Sequence, residues 1–433
     1  MKTFADHRSG WARFARAHPG AGPVLVTAVA LALASAGCGQ VPERAAGDAG
    51  AQLQQATLAQ QSGGPAVLGG ELRPGRPSVQ RFVHDEVAFT VTVNPGRPGW
   101  NLVRVDTVRE SSGHHGSAAH AGHGGASTDA VPAPEVGTGE DDLVRTRQRA
   151  GVAGRWARVW LPPGDSSLLV SHGPEHRIPF PVDTGNADAG SHATATASGG
   201  DGPECTAAAV GGLLAGEADP VERCPADGLE VRDARALAGT LGVLAERGST
   251  EVAVLADSST RSRAALRVVR RVADRLGVRV TRPTAGRHDA STAQLVVSGW
   301  QTAARHLART SRAQQRQAAF AGGTWLAPWL LTPGVVDSVS GAVLPLDFDV
   351  RDARPRAFSS TLARTLPQFA PDQAGYRGWL AGQGIHDRGE VLLYAAARVA
   401  YMPQQAGHSR HETTVDWFPG GTVTPVSGPL PAP

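Results

Sequence analysis

The apolar pattern of the chain changes period once, across "TGNADAGSHATATASGGDG" at 184–202, a stretch with little apolar content to bury. Before it, "VAFTVTVNP" places Val87, Phe89, Val91 and Val93 on one face, and "WNLVRVDTV" and "RWARVWLPPGDSSLLVSHG" continue the short alternating runs, split by Pro and Gly. Strict alternation over such lengths is the mark of half-buried strands, and turn residues at this density point to a β-sandwich. After it, "EVAVLAD" reads as a buried strand, and Ala265, Val268, Val269, Val272 and Leu276 then recur at helical spacing up to Gly277. Strands alternating with helices indicate a parallel sheet. The pattern therefore predicts an Ig-like β-sandwich over 65–183, a linker over 184–201, and a three-layer α/β domain with a mostly parallel sheet over 202–425, ending in a tail at 426–433. Helices are expected over 231–247, 301–311, 356–366, 372–382 and 388–401. The insertion at 111–142 is expected to form no strand.

The first residues carry a different signal. Lys2, Arg8, Arg13 and Arg16 precede the apolar run "PVLVTAVALALASAGC", which is short for a membrane span and ends in small residues, as export signals do. Residues 1–37 read as a signal peptide, and 38–64, small and polar, as a tether. "SAGC" resembles a bacterial lipobox, with Ser35 where leucine is usual. That resemblance implies that Cys38 becomes the lipidated first residue of a mature protein held on the extracytoplasmic face of the cell membrane. Apart from Cys38 the chain has Cys205 and Cys224. An even pair in an oxidising compartment predicts a disulfide, and no neighbouring Cys or His completes a zinc spacing.

The net charge of +3 rests almost wholly on arginine, since Lys2 is the only lysine. The arginine-for-lysine bias reads as a compositional trait of the whole chain, and nucleic acid is not an expected partner. No GxSxG, HExxH, P-loop or EF-hand pattern occurs, so the reading is non-catalytic. Trp300, Trp325, Trp329 and Trp379 read as core. The carboxylates Asp141, Asp142, Asp347 and Asp349 read as solvated loop and strand-end groups.

Two stretches resemble known families. "FTVTVNPGRPGWNLVRV" and "GRWARVWLPPGDSSLLVS" resemble the extracytoplasmic sandwich of bacterial copper-resistance and YtkA-like proteins, which implies a fold and carries no metal ligands with it. In these runs Asn101 can bond the backbone of its own Pro-Gly turn. "STEVAVLADSSTRSRAALRVVRRVADRLGVRV", "AQLVVSG", "AAFAGGTW" and "FSSTLARTLPQFAPDQAGYRGW" resemble type I periplasmic solute-binding proteins of the branched-chain amino-acid receptor kind. Only one lobe is represented, because between the linker and Glu251 there is no room for a first-lobe sheet. The resemblance implies a binding or scaffolding module with a membrane transporter or surface protein as partner, and half a cleft implies weak enclosure of any small solute.

Two sets of side chains are candidates for binding. Ser258, Ser259 and Thr260, at a strand end and helix start, are polar groups for a ligand or simple helix caps. "SSGHHGSAAHAGHGG" gathers His114, His115, His120 and His123 on a glycine-rich loop, open to copper or zinc. That loop has no Cys, Met or carboxylate to fix a geometry, so a solvated spacer is the first reading, with metal handling as the alternative and no resident cofactor expected. His408, His411 and Glu412 lie close in sequence without an identified partner. A first consequence is testable. Cys38→Ser should move the protein from the membrane fraction to the soluble one. Tight membrane association of that variant would remove the lipid anchor.

Overall fold

The computed structural model describes residues 64–109, 132–173, 176–186, 197–216, 224–283, 292–316, 319–386, 389–398, 417 and 421–430. Cys38 and the histidines at 114, 115, 120, 123, 408 and 411 lie outside the described residues. The first ten strands are β1 (Ala66–Val67), β2 (Ser78–His84), β3 (Val87–Asn94), β4 (Gly99–Arg109) and β5 (Glu135–Gly137), then β6 (Val144–Arg145), β7 (Arg147–Gln148), β8 (Arg155–Leu161), β9 (Asp165–His172) and β10 (His176–Asp183). They form two antiparallel sheets, ordered β1-β2-β3-β4-β8-β7 and β10-β9-β5-β6. The alternating residues meet between them: Phe89, Val91 and Val93 share one core with Val103, Val105, Leu168, Val170 and Phe180. Asn101 is fully buried and satisfied locally. Its Oδ1 accepts from Gly96 N at 2.8 Å, and its Nδ2 donates to Arg97 O at 2.7 Å. Gly96 has φ 74°, and a Cβ there would lie 1.9 Å from Arg76 O, so the turn requires glycine.

One expectation fails inside the insertion. Residues 135–137 form β5, which pairs with β9 with Val136 opposite Val170. Val136 is fully buried in the inter-sheet core, and one inward valine with a free strand edge beside it is enough to recruit the segment.

The second sheet system is β11 (Glu251–Leu255), β12 (Arg279–Thr281), β13 (Ala293–Val296), β14 (Thr324–Leu326), β15 (Ala342–Leu346), β16 (Leu392–Arg398) and β17 (Gly421–Pro429). The order is β12-β11-β13-β14-β15-β16-β17; the first five are parallel, and β16 and β17 run antiparallel at one edge. The helices are α1 (Gly202–Leu214), α2 (Val231–Glu246), α3 (Thr260–Leu276), α4 (Trp300–Gln314), α5 (Pro333–Val336), α6 (Ala353–Thr365) and α7 (Gln373–Gly382). Strand order reverses between β11 and β13, and right-handed crossovers then put α3 and α4 on opposite faces.

Two further expectations are corrected here. The stretch 388–401 was expected to be helical because of its Ala and Leu content, yet 392–398 is β16, paired on both sides. Leu393, Tyr394 and Ala396 are buried there, so pairing with β15 and β17 overrides local helix preference. The residues assigned to a tail from 426 continue β17 to Pro429, and Leu430 packs against Gly239 of α2.

The linker and the domain separation also change. Thr184 is fully buried, with its hydroxyl donating to Pro162 O at 2.5 Å, and Ala197 and Ser198 are buried at the other end. Leu68 and Val79, from the first sheet system, belong to the core of the second. Arg104 of β4 donates to Gln368 O at 3.0 Å and lies 3.6 Å above the Phe369 ring. Thr332 donates to Gly151 O at 3.2 Å. These contacts join the two sheet systems by packing, while residues 187–196 lie outside the described residues.

The stretch "CTAAAVGGLLAG" supplies α1, and α1 packs on α7 with almost no gap. A Cβ on Gly378 would lie 2.0 Å from Ala208 O, and one on Gly211 would lie 1.9 Å from Gly375 O. Cys205 of α1 is bonded to Cys224, 19 residues on, a loop worth about 3 kcal/mol by chain entropy. Gly378→Ala should therefore cost about 1–3 kcal/mol in urea unfolding, because backbone must move to admit the methyl. Gly242→Ala, where the methyl meets open space, should gain about 0.5–1 kcal/mol. Equal stability of parent and Gly378→Ala would contradict the close packing.

Candidate functional site at the carboxyl edge of the parallel sheet

In an open α/β sheet the groups able to meet a ligand gather where the strands end, beside the point at which strand order reverses. Here that point lies between Asp257, just after β11, and Gly299, at the start of α4. Asp257 Oδ2 accepts from Gly299 N at 2.8 Å, and Oδ1 accepts from Ser259 N at 3.0 Å and Ser259 Oγ at 2.7 Å. Burial pushes the Asp257 carboxyl up, but the donors from Gly299 and Ser259 outweigh it and hold the pKa below the ordinary value. Ser259 caps α3, its Oγ accepting from Ser262 N at 3.3 Å. Ser258, Ser259 and Thr260 thus sit where the sequence places them, at a strand end and helix start. Ser259 is engaged in the cap.

The space beside this point is filled by a buried ion pair. Arg261 of α3 donates through both terminal nitrogens to the Glu204 carboxylate of α1, with 3% and 2% of the two side chains exposed. The guanidinium lies 4.5 Å above the Trp329 ring. Asp201, at the start of α1, is so close to Gly299 that a Cβ there would lie 2.1 Å from its Oδ1. Burial, reinforced by Glu204 and opposed by Arg261, pushes the Asp201 carboxyl up to about 6. Of the tryptophans read as core, Trp300 donates to Trp329 O at 2.6 Å and Trp329 to Ser298 O at 3.0 Å. Trp325 and Trp379 are buried as well.

Further along the same edge, past β15, a pocket of about 660 Å³ opens. Arg232 from the first turn of α2, Arg235 from the second, Arg377 from α7 and His386 line it together with Glu230 and Asp347. Asp347, expected to be solvated, is instead paired with Arg377, the two side chains being 10% and 12% exposed. Arg232 pairs with Glu230 at 2.5 Å, and Arg235 is exposed. Three guanidinium groups thus face two carboxylates, an excess of fork-shaped donors suited to a carboxylate or phosphate. The reading of the sequence missed these residues. The one local signal was Arg232, a cation in a first helical turn, where it opposes the helix dipole.

A smaller pocket of about 270 Å³, lined by Arg104, Trp156, Trp300, Phe369 and Asp372 among others, lies where the two sheet systems meet. Asp372 caps α7, accepting from Gly375 N at 2.7 Å. Burial pushes its carboxyl up to about 7, although the Gly375 bond and Arg104 pull it down.

No known protein family matches the chain, and no curated protein matches it. Among solved structures it is similar to an extracellular ligand-binding receptor from Verminephrobacter eiseniae, with 13% identity and a TM-score of 0.28 over 35% of this chain and 48% of that one. It is also similar to a fatty acid ABC transporter substrate-binding protein from Thermomonospora curvata, with 17% identity and a TM-score of 0.26 over 36% of this chain and 45% of that one. The chain spans about half the length of these structures, and both likenesses are partial.

The buried carboxylates carry a pH dependence of definite sign. Asp372 keeps its proton to about pH 7 when folded and loses it near the ordinary value of 3.8 when unfolded. Between those values the native state binds more protons, so this group's contribution to stability is full at low pH and is lost as pH rises toward 7. Asp372→Asn, which keeps a cap oxygen without a charge, should match the parent near pH 4 and exceed it near pH 8 by a few kcal/mol, on the order of a three-unit shift. Identical pH profiles in denaturant unfolding would refute the assignment.

Proposed function

We propose that the chain is a non-catalytic binding module on the extracytoplasmic face of the cell membrane, anchored by lipid on Cys38, and that it takes an anionic group into the pocket beyond β15. The excess of arginine over carboxylate in that pocket carries the reading. The volume falls within the range of small-ligand sites. The pocket lies at the edge where open α/β sheets bind their ligands, displaced from the strand-order reversal because Arg261 and Glu204 fill the space there. The basic leader, "SAGC" and the Cys205–Cys224 bond support an exported chain. In this reading the paired sheets are an Ig-like sandwich of the copper-resistance and YtkA-like kind. The α/β part is a single lobe of the type I solute-binding kind, and a membrane transporter or surface protein is the partner.

Calorimetry on the full chain with citrate and inorganic phosphate tests the proposal. Saturable binding is expected, weakened by added salt and weakened at least about tenfold by Arg235→Ala, an exposed residue whose loss leaves the Arg377–Asp347 pair intact. Zwitterionic amino acids should give a flat response. Tighter binding of an uncharged solute or an amino acid, or no response to either anion, would overturn it.

A further inference from the structure

The inward-facing rows of the two paired sheets end in histidine where the pattern calls for an apolar residue. Along β2 the row that faces the second sheet runs from Phe82 to His84, and Phe82 packs edge-on against Phe180 with ring centroids 6.5 Å apart. Along β10 the row runs Val182, Phe180, Ile178, all buried, and then His176. Along β9 it runs Leu168 and Val170, both buried, and then His172, which lies in register opposite His176. The β2–β3 and β9–β10 hairpins therefore bring three imidazoles to one end of the inter-sheet core. The His84 and His176 rings are 5.2 Å apart, and the edge of His172 meets Phe89 at 5.4 Å.

A carboxylate joins them. Asp85, in the two-residue turn after β2, has its Oδ2 3.3 Å from His84 Nε2 and 3.5 Å from His176 Nε2. The three potential ligand atoms all lie within 4.8 Å of one another. Ligands held at 2.0–2.1 Å around a tetrahedral ion are about 3.3–3.5 Å apart, so both carboxylate–imidazole spacings are already those of a tetrahedron edge. An ion pair alone is a poor reason for the arrangement, because Asp85 is 70% exposed and an exposed pair contributes little. The turn also has φ of 46° at Asp85 and 62° at Glu86, a conformation in which Asn-Gly is the favoured sequence, and here it presents a carboxylate instead. Nδ1 of His172 is buried with no hydrogen-bond partner among the described residues, which is unusual for so polar an atom.

We propose that His84, Asp85 and His176 bind one divalent transition-metal ion of the zinc or copper(II) kind at this end of the paired sheets, with His172 beside them. Two imidazoles and a carboxylate form a borderline N/O donor set that favours such ions over calcium or magnesium. Three protein ligands on an open, exposed edge leave the fourth position for an exchangeable ligand, as suits uptake and release rather than a closed structural site. The three ligands are separate in sequence from the His-rich insertion. The insertion starts beyond Arg109, whose register partner is Val87, and none of its residues is needed for the three ligands.

The experiment uses the full chain with His114, His115, His120, His123, His408 and His411 replaced by Asn, so that neither the His-rich insertion nor the His408–Glu412 stretch contributes. Zinc and copper(II) are titrated in competition with a chromophoric chelator, and the copper form is examined by electron paramagnetic resonance. One equivalent of bound metal is expected, with nitrogen hyperfine structure. His176→Asn and Asp85→Asn should each weaken binding at least about tenfold, while Asp165→Asn, an exposed carboxylate at the far end of the β9–β10 hairpin, should leave it unchanged. Both test substitutions fall at exposed hairpin positions, and a thermal melt of each variant confirms that it is folded. Absence of stoichiometric binding, calcium displacing zinc at equal concentration, or parent-like affinity in both variants would overturn the proposal.

Discussion

The architecture turns on the ion pair between Arg261 and Glu204. Two charges almost wholly withdrawn from water are tolerable only when each satisfies the other in good geometry, and here both carboxylate oxygens meet the guanidinium fork while its face rests on Trp329. Removing one partner would leave a bare buried charge, a loss on the order of 3–5 kcal/mol. The pair therefore holds α1 against α3 over the end of β14. From α1 the constraint spreads in two directions. The glycines at 211 and 378 let α7 approach at backbone distance, and the Cys205–Cys224 bond fixes the chain that leads into α2. What closes the strand-order reversal also shapes the arginine pocket, because α2 and α7 supply its three guanidinium groups.

Much of this was legible in the sequence where local chemistry decides the outcome. The alternation through Val87, Phe89, Val91 and Val93 fixed which face is core, and Asn101 bonds its turn as its position next to Pro98-Gly99 suggests. The helix from Thr260 starts at a serine cap and stops at Gly277, whose φ is 69°. What the sequence did not show depends on partners distant along the chain. Residues 392–398 have no alternation strong enough to announce a strand, and only the flanking β15 and β17 make them one. Val136 gives no strand signal alone, yet it completes a sheet beside β9. The burial of Thr184 was hidden for the same reason, since it looks like any polar loop residue until Pro162 and Gly164 lie against it.

The candidate sites follow the same division. Ser258–Thr260 were visible because strand-end serines are conspicuous, and the structure uses Ser259 for a cap and for Asp257. The arginine pocket is assembled from α2 and, far later in the chain, the end of β15 and α7, so no window of the chain displays it. His84 lies far in sequence from His172 and His176, and the three form no motif there. Only the pairing of the two sheets makes them neighbours, and only the turn at Asp85 adds the carboxylate.

The coupling between the paired sheets and the α/β part rests on a second buried cation, Arg104. Its guanidinium is held by Asp106 at 2.7 Å, reaches across to Gln368 O, and is sandwiched between the rings of Phe369 and Trp156. Burial raises the Asp106 carboxyl above its ordinary value even with Arg104 beside it, which shows how fully this contact is withdrawn from water. A buried cation needs its whole set of partners at once, so the contact cannot loosen gradually: it is made with both sheet systems in place or it leaves a charge uncompensated. Leu68 and Val79 add apolar area to the same junction. Contacts of this kind set the two sheet systems in one fixed relation, with the arginine pocket opening in one and the histidine cluster at an end of the other. A ligand at either proposed site would therefore meet a preformed surface, without the cost of ordering one part against the other.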